Sequence, residues 1–169
     1  KRLQATASEM SCWYLWPIVE LAIETAMRKG ELLSLQWCNI DFEKSVALLP
    51  QTKNGAPRWV PFTERALEIV SSLEQTSEVV FPVGPDALRH SWDRLCQRAE
   101  IEGLRFHDLR HEAISRLFEL NLTVPEVAFI SGHKTPTQLF KYVHVDVQRL
   151  KGSISSIQAY RNKLDESGS

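Results

Sequence analysis

FHDLRHEAISRLF, residues 106–118, places two histidines and an arginine within the five positions 107–111. Leu109, Ala113, Leu117 and Leu120 recur at helical spacing, with Ile114 and Phe118 beside them. That period predicts an amphipathic helix. At about 100° per residue, His107, Arg110 and His111 fall on the side that Ile114, Leu117 and Phe118 continue. Polar groups on the body side of a helix ask what they are there to meet.

The neighbouring segments read as further helices. Residues 11–35 are helical, as two helices or as one bent at Pro17. Thr63 is a suitable N-cap for a helix over 63–74. Residues 85–102 carry Leu88, Trp92, Leu95 and Ala99 on one face, and a helix near 124–131 ends at Gly132. A short helix from about 135 leads to Tyr142. Between 37 and 62 the pattern changes to two β-like runs around Lys53-Asn54-Gly55, and Asn-Gly is a hairpin signal. Val79–Pro82 reads as a short strand. The fold class is therefore mainly α with a small antiparallel β-sheet, an α+β arrangement.

The 169 residues suit one domain, with 43% hydrophobic and 24% charged content. Pro17 interrupts the most apolar segment and no run reaches membrane-spanning length, so no membrane association is expected. There is no signal peptide, and a chain opening on Lys1 is read as a fragment. Three scattered cysteines without a CxxC pair argue against a zinc ribbon or disulfide framework and for a reducing cytosol. The net charge of −1 speaks mildly against nucleic acid, but residues 141–163 hold five Lys and Arg against Asp146 alone. Val147, Leu150, Ile154, Ile157 and Leu164 give that stretch an amphipathic tail over 147–164, and residues 166–169 read as disordered.

His107 and Arg110 are neighbours at the start of a helix, where free N–H groups and the dipole already favour anions. A guanidinium there makes a phosphate cradle. Equally, Arg110 could pair with a carboxylate while His107 caps the helix. His107 and His111 have zinc-site spacing, but Asp108 stands where glutamate would be needed and Arg110 opposes a dication, so metal is disfavoured. Arg28 with Glu31, Lys53 in a turn, and Tyr142 each read alone as ordinary surface or core residues.

Together they do not. The order Arg28, Lys53, His107-x-x-Arg110, Gly132-His133, Tyr142 resembles the tyrosine recombinase (phage integrase) family, from about residue 13 to about 150. The resemblance implies a catalytic domain over 1–165, with the family's N-terminal DNA-clamping domain absent from this chain. It implies that Arg28 and Arg110 clamp the scissile phosphate and that Lys53 protonates the leaving 5′ oxygen. His107 would assist proton transfer at the nucleophile and His133 would bond a phosphate oxygen. Tyr142 would be the nucleophile that forms a 3′-phosphotyrosyl link. Glu31 and His111 would orient these groups. Lys29, Asn54, Arg58, Arg105, Lys134 and Lys141 are candidate DNA contacts.

No cofactor and no metal is implied. Double-stranded DNA is the expected partner, with a homotetramer on synapsed DNA and a monomer as the free fragment. The expected setting is a bacterial cytoplasm or nucleoid, or a phage or other mobile element in such a host. The rival readings are a relaxing topoisomerase of the same chemistry, which would cut without sequence choice, and a non-catalytic DNA-binding or regulatory relative. The chain departs from the family pattern at Thr25-Ala26, where Thr-Gly is usual, and at Lys29, where arginine is common.

Overall fold

A computed structural model describes residues 1–50 and 57–143 of the chain. Lys53, Asn54 and the tail at 147–164, with residues 166–169, lie outside the described residues. Seven helices and three strands follow in the order α1 (Arg2–Ser8), α2 (Leu15–Thr25), α3 (Lys29–Leu33), β1 (Ile40–Asp41), β2 (Val46–Leu49), β3 (Arg58–Pro61), α4 (Glu64–Ser71), α5 (Pro85–Arg98), α6 (Asp108–Glu119) and α7 (Val124–Ser131) among the described residues. Two 3-10 turns, Pro136–Gln138 and Phe140–Tyr142, replace the expected short helix before Tyr142. The α+β class stands, with neighbouring strands antiparallel in the order β1-β2-β3.

The helical region 11–35 breaks at Ala26, not at Pro17. Pro17 is the third residue of α2, where an N–H has no partner within the helix and its loss costs nothing. Ala26 ends α2 in the left-handed region at φ 53° and ψ 21°. The chain can then turn so that α3 starts at once, with Arg28 as its N-cap. Val79–Pro82 forms no strand. It contributes one bridge, Gln36 to Val79, and buries Phe81.

Strand alternation sets the inner face of the sheet. Ala47 pairs with Val60 and Leu49 with Arg58, and all four are buried, while Trp59 points away and is 46% exposed. Thr63 caps α4 as expected, its Oγ1 accepting from the N–H of Ala66 at 3.1 Å.

The apolar side chains form two clusters. The larger packs α2, α4, α5 and the inner sheet face around Leu15, Ile18, Leu21, Phe81, Leu88 and Leu95. The smaller gathers Ala26, Ala113, Ile114, Val127 and Leu139, with Tyr142 against it. Helix α6 spans both: Leu109 belongs to the first, Ala113 and Ile114 to the second. Arg110 lies between them at 3% exposure. Leu120, read as part of the same stripe, is 71% exposed because α6 outruns its cover. The buried polar side chains among the described residues are Thr25, Glu31, Arg58, Arg110 and Ser131, and four of them meet around this seam.

A buried left-handed alanine makes a sharp stability test. Ala26→Gly relieves backbone strain but loses a buried methyl, so denaturant melts are expected within about 1 kcal/mol of the wild type. A β-branched side chain cannot take this backbone comfortably, and Ala26→Val is expected to cost about 2–3 kcal/mol.

Candidate active site

The site is assembled on one buried carboxylate. Glu31, at the third position of α3, accepts four hydrogen bonds. The N–H of Arg28 donates to its Oε2 at 2.7 Å and Arg28 Nη1 to its Oε1 at 2.9 Å. Arg58 donates from Nη1 and Nη2 to the two oxygens at 2.7 and 2.9 Å. Both carboxylate oxygens are thereby saturated. Burial pushes the Glu31 carboxyl up, but the bonds from Arg58 and Arg28 and their charges overbalance this and hold it below 4.5.

Arg58, a candidate DNA contact by its charge, is turned inward and committed to Glu31, which does not suit that role. It is as buried as Glu31, and its Nε donates to the carbonyl of Ile130 at 3.1 Å, tying β3 to α7. Arg28, partly exposed, donates from Nη2 to the carbonyl of Gly132 at 2.9 Å. Gly132 closes α7 at φ 69°, and a Cβ there would meet the Arg58 guanidinium carbon at 2.9 Å. Glycine is needed for both the turn and the close approach.

Arg110 enters from the first turn of α6. Its guanidinium donates to the carbonyl of Ala26 and, at 2.6 Å, to that of Ser131. Its partners are backbone carbonyls rather than a carboxylate, so its charge is oriented without being cancelled. Burial first, then the charge of Arg28, pushes its pKa down to about 10, which leaves it protonated at neutral pH. Three guanidiniums against the Glu31 carboxylate leave two positive charges over. That excess answers the question posed by residues 107–111: the interior is prepared for an anion.

His133 follows Gly132. Ser131 Oγ is 2.6 Å from the carbonyl of Val127 and 2.7 Å from His133 Nδ1. A carbonyl cannot donate, so the Ser131 hydroxyl donates to Val127 and accepts from His133. The proton of neutral His133 thus sits on Nδ1, and Nε2 is bare. Burial, with Arg110, Arg28, Lys141 and Arg58 nearby, pushes His133 down to about 4.

Tyr142 closes the set on its 3-10 turn. Its hydroxyl shares a hydrogen bond with His111 Nδ1, and the two rings stack 5.7 Å apart at 29°. Lys141 Nζ lies 4.9 Å from the centre of the Tyr142 ring. His107 meets His111 edge-on, with ring centres 4.8 Å apart. The expected inward side chain holds for Arg110 and partly for His111, but His107 is exposed. Nor does His107 cap α6, since its backbone is helical and its side chain makes no cap bond. Burial and neighbouring cations lower both imidazoles below 6.5.

Lys29, Arg105, Lys134 and Lys141 are exposed, as DNA contacts would need to be. Lys29 and Arg105 line a cavity of about 220 Å³ together with Arg89, a cation the sequence reading passed over. Ser131 was also missed, and a serine before Gly-His gives no signal of its own. Arg58 did give one: in a strand it shares a face with Val60. Among the described residues no three His, Cys, Asp or Glu side chains gather as a metal-holding group.

Removing the Glu31 charge strands two guanidiniums. Glu31→Gln is expected to cost about 3–5 kcal/mol at pH 7. Because Glu31 titrates lower folded than unfolded, its contribution is complete above pH 4.5 and is lost as the pH falls below that value. Urea melts at pH 7 and pH 4 should therefore show the gap between variant and wild type narrowing in acid.

The phage integrase family model matches residues 1–149. The chain is 44% identical over 154 residues to the shufflon-specific DNA recombinase of Escherichia coli, covering 90% of this chain and 39% of that protein. It is 28% identical over 134 residues to tyrosine recombinase XerA of Saccharolobus solfataricus, covering 76% and 46%. The chain thus spans less than half the length of these relatives. In fold it is similar to the catalytic domain of bacteriophage HP1 integrase, with a TM-score of 0.74 at 22% identity over 91% of this chain and 88% of that one. It is also similar to XerH site-specific recombinase bound to its difH substrate, with a TM-score of 0.71 at 21% identity over 91% and 50%. The helix-rich fold with its three-stranded sheet is that of these catalytic domains, and the match across residues 1–149 means that the chain belongs to the phage integrase family.

Proposed function

We propose that residues 1–165 are the catalytic domain of a site-specific DNA recombinase that cuts and rejoins strands through a 3′-phosphotyrosyl intermediate, without metal or ATP. What carries this reading is the arrangement around Arg110. A surplus of guanidinium charge sits in a buried seam beside a tyrosine hydroxyl that is already bonded to an imidazole. The relatives whose names specify recombination give it further support.

A phenol with a pKa near about 10 is a weak nucleophile at neutral pH and needs cations and a proton acceptor. Arg28 and Arg110 supply forked donors to the non-bridging oxygens, where charge grows in the five-coordinate transition state. Tyr142 Oη attacks phosphorus, Lys53 protonates the departing 5′ oxygen, and His107 assists proton transfer at the nucleophile. His133 donates to a phosphate oxygen from Nε2, which requires that the negative charge of the entering phosphate raise the ring's proton affinity so that it takes a second proton from solvent. The phosphotyrosyl bond conserves the energy of the broken bond, so a new 5′ hydroxyl can reverse the step.

Lys29, Arg105, Lys134 and Lys141 would follow the backbone of double-stranded DNA on either side, with Asn54 from the β2–β3 connection. A homotetramer on synapsed DNA, a monomer when free, and a bacterial cytoplasm or a phage-infected host complete the reading. The tail at 147–164 would dock on a neighbouring protomer.

A duplex nicked next to the cleavage point traps the intermediate. The wild type is expected to become covalently attached to it and Tyr142→Phe to give no adduct, read on denaturing gels. Arg110→Ala should slow attachment by roughly 10³–10⁵-fold, while Arg116→Ala, an exposed residue paired with Glu112, should leave it unchanged. Attachment by Tyr142→Phe would refute the proposal.

A further inference from the structure

The family pattern gives the nucleophile's proton to the first histidine of the motif, but in this structure the second one touches the hydroxyl. His111 Nδ1 bonds Tyr142 Oη and its ring stacks on the phenol. His107 has its ring contact with His111. It is exposed, and no described contact joins it to Tyr142. The spacing explains why. His111 lies one helical turn after His107, further along α6 toward the smaller apolar cluster against which Tyr142 packs. His107 stands at the very start of that helix.

We infer that His111 is a catalytic residue, the group that takes the phenolic proton of Tyr142, and that His107 acts on the nucleophile through it. The inference rests on the recombinase reading above and names which imidazole serves it. Tyr142 Oη bonds to phosphorus as the bond from phosphorus to O5′ breaks. The phenolic proton passes to His111 Nδ1, and O5′ takes its proton from Lys53. Nδ1 can accept only if the proton of neutral His111 is on Nε2. The groups facing His111 are His107, Asp108 and Arg110 on its own helix, and Lys141 and Tyr142 on the last turn. Burial first, and then the cations that outnumber the single carboxylate among them, lower the ring's pKa and so favour its neutral form.

The test is single-turnover attachment to the nicked duplex at saturating DNA, from pH 5 to pH 8. The wild-type rate should fall in acid as His111 is protonated and can no longer accept. Asparagine at 111 puts a polar atom near the Nδ1 position but does not titrate. His111→Asn should lose roughly 10²–10⁴-fold in rate, lose the acid limb, and bind DNA as the wild type does. Added imidazole should partly restore His111→Ala. A His111→Asn rate within about threefold of wild type, with the limb intact, would overturn the inference.

A second measurement uses the unaltered protein. Nitrogen-15 shifts of the His111 ring should show Nδ1 bare in the absence of DNA, and a protonated Nδ1 would overturn the inference. Neither result touches the broader proposal. That one falls only if the wild type forms no adduct, or if Tyr142→Phe does.

Discussion

The arrangement depends on the Glu31 carboxylate holding Arg28 and Arg58 at once. A buried ion is costly unless its bonding capacity is filled, and here four donors fill it. The two arginines come from segments that have no other reason to meet. Arg28 is the N-cap of α3, and Arg58 lies on the inner face of β3. Each then reaches the end of α7, through the carbonyls of Gly132 and Ile130. One charge pattern therefore fixes the relative position of a helix start, a strand and a helix end. His133 follows directly from that end. Lys53 falls in the connection between β2 and β3, whose described ends are the paired residues Leu49 and Arg58.

The same pattern explains why the site is not neutral. A second carboxylate within reach of Arg110 would have paired with it and removed the need for a ligand. Asp108, two residues earlier, is instead bonded to the backbone and side chain of Arg105. Arg110 is left to backbone carbonyls, which orient a guanidinium while leaving its charge to act on something else. Burial first, and then the uncancelled cations around them, lower the pKa of Arg110 and of the three histidines.

Much of this was legible in the sequence, because periodicity and spacing are local. The α6 stripe, the Thr63 cap, the antiparallel pairing of the two β runs and the Gly132 helix end each follow from a few adjacent residues. The errors arose where a local signal had two outcomes. Of the two readings of residues 11–35, the pair of helices holds and the bend at Pro17 does not, because Pro17 lies in the first turn of α2, where it does no harm. Arg58 is a candidate DNA contact on its charge, whereas alternation with Trp59 and Val60 places it on the inner face. A charged residue enters a strand's inner face only when a partner waits there, and Glu31 is 27 residues away in sequence. No window of adjacent residues contains both. His107 and His111 differ by one turn, and only the position of Tyr142 decides which of them it meets.

The two halves of the chemistry also rest on different amounts of structure. The guanidiniums are set by elements packed on the larger cluster and pinned by buried hydrogen bonds. Tyr142, the proposed nucleophile, hangs on a three-residue 3-10 turn. Leu139 is fully buried there, but Phe140 is 58% exposed and Lys141 stands in solvent. Few buried contacts hold that turn, and local stability follows buried contacts. A rigid guanidinium cradle with a lightly held tyrosine is what the proposed strand exchange would require. Under that proposal the cradle would keep its geometry through cutting and rejoining, whereas the tyrosine would accept a phosphorus atom and give it up again. The bond to His111 then has two consequences: it polarises the hydroxyl, and it gives a weakly supported turn a fixed point on α6, the helix that carries Arg110.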